Sequence, residues 1–473
     1  MTSPVTFDAK YKAMLSRDPR FDGRFFVGVK TTGIYCRPIC PARPKRANVE
    51  FFSTALGAER SGYRPCLRCR PESAPHSSAW TGTSALVSRA LKRIATGERM
   101  GVDETAFAEA FGVSARHLRR LFNAEVGKSP KQIADDQRLG FARQLVVESK
   151  LPFTQVAEAA GFKSLRRFNS AFKARFSRTP SELRRKKTSS DDGSTEIFLS
   201  YRPPFDFAST VRFHRWHKLS GLEEVTDTSY RRLARIDGKI VVFEVTDRPE
   251  KSALRLRVWS REVGVLFPLS RRVRAMFDLD SDPLTVELAL RKDRRLAKLV
   301  KRSPGLRLAR GFDPFETSIM TVLGQLVSVD RANRLVADLI ALLGTTVKHP
   351  LTGEETRLFP TADRIAKSDL AGLGTTNARK QALRNLAREI ASGSLKLETT
   401  GDIGELKSKL LEIPGIGPWT SEYIALRALG DCDSFPGTDL VLKRASTGAN
   451  FLDLDLIRPW RSYAAVHLWK EHT

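Results

Sequence analysis

Two close pairs of cysteines near the start of this 473-residue chain are candidate metal ligands. Cys36 and Cys40 form one pair and Cys66 and Cys69 the other, with residues 41–65 between the pairs. Paired thiolates joined by a loop are a common framework for a closed tetrahedral site, so the spacing predicts one Zn²⁺ with four cysteine ligands. Two roles remain open. The metal either holds together a module too small for its own core, or it serves chemistry at a thiolate.

A second candidate site lies near the other end of the chain. Gly415 and Gly417 stand in a pattern typical of a helix–hairpin–helix, where glycines let backbone amides at a helix N-terminus approach a phosphate. An ordinary turn between helices is the alternative. Asp439 follows Trp419 after a further segment, and its carboxylate either caps a helix or belongs to a site beside the hairpin. The hairpin segment reads Leu411-Glu412-Ile413-Pro414-Gly415-Ile416-Gly417-Pro418-Trp419-Thr420, and the later one Phe435-Pro436-Gly437-Thr438-Asp439.

An internal repeat connects these two sites in the sequence. Residues 108–114 are echoed by residues 157–164, and Pro130 by Pro180, so that both are displaced by about 50 residues. Each copy predicts a helix, a glycine-containing turn and a second, basic helix, and therefore two tandem helix-turn-helix units. The second helices are expected to lie in successive major grooves and to reach guanine edges or phosphates, a solvated basic face being the alternative. Their basic residues are Arg116, Arg119, Arg120, Lys163, Arg166 and Arg167.

The remaining elements must position the second site. Between about 196 and 300, alternating runs at 239–245 and 254–259 predict half-buried strands. After about 309 a helical period returns, and one face of a long helix is predicted to carry Phe315, Ile319, Val322, Leu323, Leu326 and Val327.

The fold class that follows is a multidomain α+β protein. We expect a small zinc-binding α/β module at 1–80, an all-α tandem helix-turn-helix domain at 84–187, an antiparallel β domain at 196–308 and an all-α helix–hairpin–helix domain at 309–473. Ser/Pro/His-rich residues near 73–78 and a polar tract at 186–194 read as linkers, and the second suggests two independent halves.

Charge and cysteine usage narrow the class of protein. Eighty Lys and Arg against 53 Asp and Glu give a net charge of +27, which favours a polyanionic partner through counterion release. Crowding of the cysteines near the N-terminus is untypical of a secreted disulfide framework. No signal-peptide pattern or membrane-length apolar run is present. We expect a cytoplasmic, nucleoid-associated bacterial protein with no membrane partner.

The cysteine module resembles the N-terminal domain of the adaptive-response alkylation regulator Ada, through residues 25–33, 35–38 and 62–71. The resemblance implies that Cys36 is both a zinc ligand and the irreversible acceptor of a methyl group from a DNA phosphotriester. Methylation would lower the negative charge of the centre and favour DNA binding. The repeat region resembles the AraC-type DNA-binding domain, which implies promoter DNA and RNA polymerase as partners and a role as transcriptional activator.

From Tyr201 to Trp469 the chain resembles 3-methyladenine DNA glycosylase II, the AlkA type of the helix–hairpin–helix superfamily, also through residues 323–329 and 458–464. The resemblance makes Asp439 the catalytic carboxylate, which stabilises the oxocarbenium-like sugar and helps water attack. Leu326 corresponds to the wedge that replaces a flipped nucleotide, although an apolar helical residue is equally suited to the core. The implied pocket for a cationic alkylated purine is Trp419, Tyr423 and Trp469, which would otherwise be read as core aromatics.

Departures from these family patterns limit the expected activities. The AlkA-type catalytic turn usually reads Asp-Asp-Tyr, whereas this chain has Thr438-Asp439-Leu440, so one pocket aromatic is lost and the lesion range is in question. Superfamily lyases carry Lys where Trp419 stands, which predicts a monofunctional enzyme, and a terminal iron–sulfur motif is missing. Cys432 lacks the Pro-Cys-His-Arg setting of alkylguanine methyltransferases, so direct repair of O6-methylguanine is not expected.

Two hypotheses of different classes follow. In the first, the chain excises alkylated purines from double-stranded DNA and also accepts methyl groups stoichiometrically at its zinc site. In the second, it is a methylation-activated transcription factor whose glycosylase half is inert. The intact hairpin and Asp439 favour the first.

Overall fold

The computed structural model describes residues 7–17, 25–40, 42–53, 55–66, 69, 71, 85–95, 97, 103–184, 193–397, 403–446 and 452–472. The predicted linker near 73–78, and most of the one at 186–194, lie outside these residues. Among the helices described, none is long and apolar enough to cross a membrane.

The chain forms two compact units that divide within the helix-turn-helix region. One unit contains residues 1–139 and 171–179, and the other contains residues 140–170 and 180–473. The expectation of independent halves separated at 186–194 is therefore wrong, because residues 140–170 belong to the same unit as the C-terminal half.

The first unit begins with a small α/β module. Its four-stranded sheet has the order β3-β1-β2-β4, with β1 antiparallel to both neighbours and β2 parallel to β4. Phe25, Val27 and Val49 pack with the cysteines in one small core, and Phe26 with Tyr35 in another. The elements are α1 (Phe7–Ser16), β1 (Phe26–Val29), β2 (Ile34–Cys36), β3 (Val49–Phe52), α2 (Ala55–Arg60) and β4 (Arg64–Pro65).

The helices that follow confirm the predicted repeat. Gly112 and Gly161 have φ of +71° and +73° and make the turn between the two helices of each copy. The second helix of the first copy begins where the Ser114 side chain accepts a hydrogen bond from the His117 amide. The helices are α3 (Ala85–Ala95), α4 (Glu104–Glu109), α5 (Ala115–Glu125), α6 (Pro130–Glu148), α7 (Phe153–Ala159), α8 (Leu165–Phe176) and α9 (Pro180–Leu183).

An antiparallel sheet in the order β5-β9-β8-β7-β6 forms the next layer. The half-buried prediction is wrong for β8, where residues 241–245 are all buried because this central strand is covered on both faces. The elements are β5 (Thr195–Ser200), α10 (Phe207–Trp216), β6 (Glu223–Val225), β7 (Ser229–Ile236), β8 (Lys239–Arg248), β9 (Ala253–Trp259), α11 (Leu266–Met276), α12 (Pro283–Leu290) and α13 (Arg294–Arg302).

The C-terminal helices surround two apolar cores and carry a short ribbon, β10 paired with β11, that the all-α expectation missed. The predicted long helix ends at Leu323, so Leu326 and Val327 lie beyond it. The elements are α14 (Pro314–Leu323), α15 (Val329–Leu343), β10 (Thr345–Lys348), β11 (Glu355–Leu358), α16 (Ala362–Lys367), α17 (Asn377–Ala391), α18 (Ile403–Leu411), α19 (Pro418–Arg427), α20 (Leu440–Ser446) and α21 (Arg461–Glu471).

Candidate functional site

The structure brings the four predicted zinc ligands together, with their sulfur atoms all within 4.8 Å of one another. Cys36 ends β2, and Cys66 follows the parallel strand β4 and donates its amide hydrogen to the Tyr35 carbonyl at 2.9 Å. Strand pairing therefore places two ligands side by side, and the turns after each strand supply Cys40 and Cys69. This closed set of four thiols fits one Zn²⁺.

The four thiols lie close enough to share hydrogen bonds. Hydrogen bonds among them raise the pKa of Cys36 and Cys69 and lower the pKa of Cys40 and Cys66. A bound divalent cation would stabilise all four as thiolates. Arg37, for which no sequence pattern predicted a role, donates its backbone N–H to Cys69 Sγ at 3.3 Å and a guanidinium N–H to the Cys69 carbonyl.

A charged network links the zinc module to the helices of the same unit. The Tyr35 hydroxyl donates to Glu59 at 2.8 Å, and Glu59 also pairs with Lys128 at 2.7 Å and Arg175 at 3.1 Å. Asp136 pairs with the same two cations, at 2.8 and 3.0 Å. Burial opposes ionisation of Glu59, but the neighbouring cations outweigh it and lower the pKa of this carboxyl. These residues lie far apart in sequence, and no local pattern indicated them.

The six predicted DNA-reading residues all have exposed side chains on or beside α5 and α8. Arg119 is already in an ion pair within the protein, because its guanidinium donates to both carboxylate oxygens of Glu104, at 3.1 and 2.9 Å. The Arg120 guanidinium lies 3.2 Å from His117 Nδ1. In the second copy, Lys163, Arg166 and Arg167 project from the start of α8.

Asp439 lies at the start of α20 and is held from two directions. Its Oδ1 accepts hydrogen bonds from the amides of Val441 and Leu442, at 3.0 and 3.1 Å, so it caps this helix. The same oxygen accepts from Trp469 Nε1 at 3.1 Å, and Oδ2 accepts from Trp419 Nε1 at 3.3 Å. The helix-cap interpretation therefore applies to this carboxylate, which also lies beside the helix that follows the hairpin and stays partly exposed.

The three predicted pocket aromatics form one group around Asp439. Trp419 stacks on Tyr423 with ring centroids 5.0 Å apart and planes 24° apart, and Tyr423 lies 5.8 Å from Trp469. Each ring is partly buried, and Trp469 also packs against an apolar core of the C-terminal helices. No sequence pattern indicated the buried Arg427, whose guanidinium lies 5.1 Å from the Trp469 ring and donates to the Ala309 carbonyl at 2.7 Å.

Leu326 is fully exposed and has a left-handed backbone with φ of +55°. The alternative that it belongs to the core is therefore wrong. Gln325 next to it donates to the Gly415 carbonyl at 3.0 Å and to the Thr420 hydroxyl at 2.9 Å, and Arg379 donates to the Gln325 carbonyl. These contacts tie the Leu326 loop to the hairpin, and neither Gln325 nor Arg379 was indicated by the sequence.

The hairpin connects α18 to α19 as predicted. Gly415 has φ of +93°, and a Cβ there would lie 2.5 Å from the Ala382 Cβ, so both backbone and space require glycine. Gly417 is the residue before Pro418, which begins α19, and open space surrounds its Cα. The arrangement suits a helix N-terminus that approaches a phosphate closely.

Two further residues near Asp439 differ in exposure. Leu440, which replaces the expected aromatic, is 70% exposed at the first position of α20. The Cys432 thiol is partly buried, and burial with the nearby Asp431 raises its pKa to about 11. This thiol is therefore neutral at physiological pH, in agreement with an incidental role.

Comparison with family models divides the chain into known parts. The metal-binding domain of Ada matches residues 9–72, a helix-turn-helix domain matches residues 107–186, and the AlkA N-terminal domain matches residues 196–313.

Whole proteins extend these matches. A Mycobacterium tuberculosis (strain CDC 1551 / Oshkosh) protein described as "Probable bifunctional transcriptional activator/DNA repair enzyme AlkA" is 37% identical over 98% of this chain and 96% of its own length. The DNA-3-methyladenine glycosylase 2 of Escherichia coli (strain K12) is 32% identical over 57% of this chain and 95% of its own length. A solved 3-methyladenine DNA-glycosylase from Archaeoglobus fulgidus is 21% identical over 58% of this chain and 96% of its own, with a TM-score of 0.49.

Fold, sites and comparisons together define a DNA-repair glycosylase fused to a zinc-binding, DNA-binding regulator. The chain belongs to the family of bifunctional transcriptional activator/DNA repair enzymes that combine an Ada-type N-terminal half with an AlkA-type glycosylase half. DNA is its partner.

Proposed function

We propose that the C-terminal half is a monofunctional DNA-3-methyladenine glycosylase II that excises alkylated purines. The observation that carries this proposal is one carboxylate, Asp439, held by two indole N–H groups within a group of aromatic rings. The rings attract the positive charge of an alkylated base. Asp439 stabilises the oxocarbenium-like sugar as the glycosidic bond breaks, and helps water attack its anomeric carbon.

Contacts to the DNA are assigned to three features. Gly415 and Gly417 place hairpin amides at a phosphate, and Leu326 enters the stack where the lesion leaves it. The exposed, left-handed position of Leu326 supports the wedge role, because burial does not account for this leucine. Arg116, Arg119, Arg120, Lys163, Arg166 and Arg167 are proposed to contact promoter DNA.

A product assay tests the monofunctional assignment. A duplex with one hypoxanthine is incubated with the protein, and strand breaks are measured with and without alkali. We expect breaks only after alkali, because Trp419 stands where lyases carry a Lys and the strand is left abasic but intact. Breaks without alkali would show a lyase and overturn this assignment.

For the N-terminal half we propose stoichiometric methyl transfer to Cys36. A bound Zn²⁺ keeps the cysteines deprotonated. The Cys36 sulfur attacks the methyl carbon of a DNA methylphosphotriester, so that an S–C bond forms, the C–O bond breaks, and the electron pair returns to phosphate as the diester. Cys36 is buried, and it lines a small surface depression together with Arg37 and Pro44.

Mass spectrometry of the protein after incubation with methylphosphotriester DNA tests this transfer. One methyl group on the peptide that contains Cys36 is expected, and none in Cys36→Ser. Methylation of a different cysteine, or none from a zinc-loaded protein, would contradict the assignment.

The regulatory role follows from methyl transfer and promoter binding together. Methylation removes one negative charge near DNA, which strengthens promoter binding by the helix-turn-helix units. RNA polymerase is the proposed protein partner, and the cytoplasm with its nucleoid is the proposed location. We propose functional domains at 1–80, 84–187, 196–308 and 309–473.

A further inference from the structure

An edge of the glycosylase sheet is covered by the helix-turn-helix region. Strand β5 is at the edge, and Phe198 in it has backbone groups that no sheet neighbour occupies on that side. Gln144 in α6 donates to the Phe198 carbonyl at 2.7 Å, and the Phe198 amide donates to the Glu148 carboxylate at 2.8 Å. Gln144 also donates to Glu148 at 2.8 Å. Two side chains one helical turn apart thus satisfy both backbone groups of one edge residue.

Apolar contacts continue the same interface. Phe141, one turn before Gln144, packs edge-on against Phe267 of α11, with ring centroids 5.0 Å apart and both rings buried. Helix α7 packs against the short 3-10 turn Val263–Val265 that precedes α11. Directional hydrogen bonds and buried aromatic rings together fix a contact in one geometry.

This interface places the start of the second basic helix in the same compact unit as the glycosylase. Residues 140–170 form one compact unit with residues 180–473, and this stretch includes Lys163, Arg166 and Arg167 at the start of α8. The three side chains are exposed. The unit that carries the hairpin and Asp439 therefore carries a second cationic surface suited to the phosphates of a duplex.

We propose that residues 140–170, which include the start of the second basic helix, are a docked part of the glycosylase half and supply it with a second contact to the phosphates of double-stranded DNA during excision. Two DNA contacts on one body act with a raised effective concentration, so each strengthens the binding of the other on the same duplex. The docking does not depend on glycosylase activity, whereas the second DNA contact rests on the proposed function.

A cleavable chain tests the docking. A protease site is inserted within residues 186–192 of the full chain, the purified protein is cut, and the fragments are run on gel filtration at moderate salt. We expect the two fragments to elute together. Separation of the fragments from the otherwise unchanged chain would overturn the docking.

Two variants test whether Gln144 and Glu148 hold the two fragments together. Gln144→Glu places a carboxylate against the Phe198 carbonyl and Glu148, and should release the fragments, as should the double variant Gln144→Ala with Glu148→Ala. Lys131→Ala, an exposed change on the same helix, is the matched control and should leave them together. Circular dichroism of the uncut variants shows whether each is folded, and co-elution of folded Gln144→Glu fragments would contradict the assigned contact.

Excision on duplexes of two lengths tests the second DNA contact. The lesion is placed in a duplex of about 12 base pairs or in one of about 40, since the second contact needs roughly one more helical turn of DNA. For Arg166→Ala with Arg167→Ala we expect the KM on the long duplex to rise about fivefold, and on the short one by less than about twofold. An equal change in KM at both lengths, or no change at either, would overturn the second DNA contact. An inactive parent chain would instead contradict the proposed function, and the co-elution result would still stand.

Discussion

The indole Nε1 of Trp469 donates a hydrogen bond to Oδ1 of Asp439 across 3.1 Å, joining the last helix of the chain to the start of α20. Trp419, in the helix after the hairpin, holds the other carboxylate oxygen. Two separate helices therefore orient one carboxylate, and the rings that provide the donors belong to the proposed base pocket. The carboxylate and the pocket are one structure, so a change in either should affect both.

Removal of one indole donor tests this orientation. Trp469→Phe keeps an aromatic ring but loses the N–H, so Asp439 loses one of its two indole partners. We expect kcat to fall by about 10- to 100-fold with little change in KM, because a lost hydrogen bond to a charged group is worth about 1.5–3 kcal/mol and is needed in the transition state. Trp216→Phe, at an exposed tryptophan, is the control in single-turnover assays. An unchanged kcat in Trp469→Phe would show that the contact is not used.

The wedge assignment is tested by Leu326→Gly. Glycine favours the left-handed φ of +55°, and no buried surface is lost, so Tm should be unchanged or slightly raised. Excision should fall by about tenfold or more, because nothing fills the space of the flipped nucleotide. Leu288→Ala, at another exposed leucine and outside the hairpin, is the control. A Leu326→Gly protein that excises at the parent rate would remove Leu326 from the mechanism.

The two hairpin glycines should behave differently. Gly415→Ala combines φ of +93° with a Cβ 2.5 Å from that of Ala382, so it should destabilise the fold by about 1–3 kcal/mol. Gly417→Ala meets open space in the protein and should leave the free energy of unfolding unchanged, yet weaken DNA binding where a phosphate approaches. Denaturant unfolding and duplex affinity, measured for both variants, distinguish the two effects. Unchanged affinity in Gly417→Ala would argue against a phosphate there.

One zinc ion per chain is expected, bound by the four clustered thiols. Substitution of Cys40 or Cys66 by Ser should lower the zinc content well below one and destabilise the N-terminal module, because folding and metal binding are coupled. Cys432→Ser should keep one zinc ion, since Cys432 lies outside the cluster. Metal released by a thiol-blocking reagent and counted with a chromogenic chelator checks both statements. Full zinc content in Cys40→Ser would contradict the four-ligand site.

Short sequence patterns predicted the features that depend on residues close together in the chain. The cysteine pairs follow from short spacings, and each pair lies beside a strand end that parallel pairing of β2 with β4 brings together. The repeat predicted both turns, because Gly112 and Gly161 are needed wherever the chain turns with positive φ. The alternating run at 239–245 predicted a strand, but the burial of this strand on both faces depends on neighbours that periodicity does not reveal.

Contacts between residues far apart in the chain could not be predicted from sequence patterns. Glu59 and Arg175 meet only after folding, as do Gln144 and Phe198, and a polar tract nearby instead suggested independent halves. Leu326 continued a helical period past Leu323, where the helix ends, and so its exposure was decided by the turn and not by its apolar character. Arg427 behind Trp469 gave no signal, because a buried arginine has the same sequence appearance as an exposed one.

The most direct test of the account is release of 3-methyladenine and hypoxanthine from duplex DNA by the purified chain and by its Asp439→Asn variant, with duplex affinity measured in parallel. Asn keeps the shape of the side chain but not its charge, so the variant should bind DNA as the parent does and release base at least about 100-fold more slowly. Release by the variant at the parent rate would contradict the assignment of the chemistry to Asp439. No release by either folded, zinc-loaded protein would contradict glycosylase activity and leave a methylation-activated regulator.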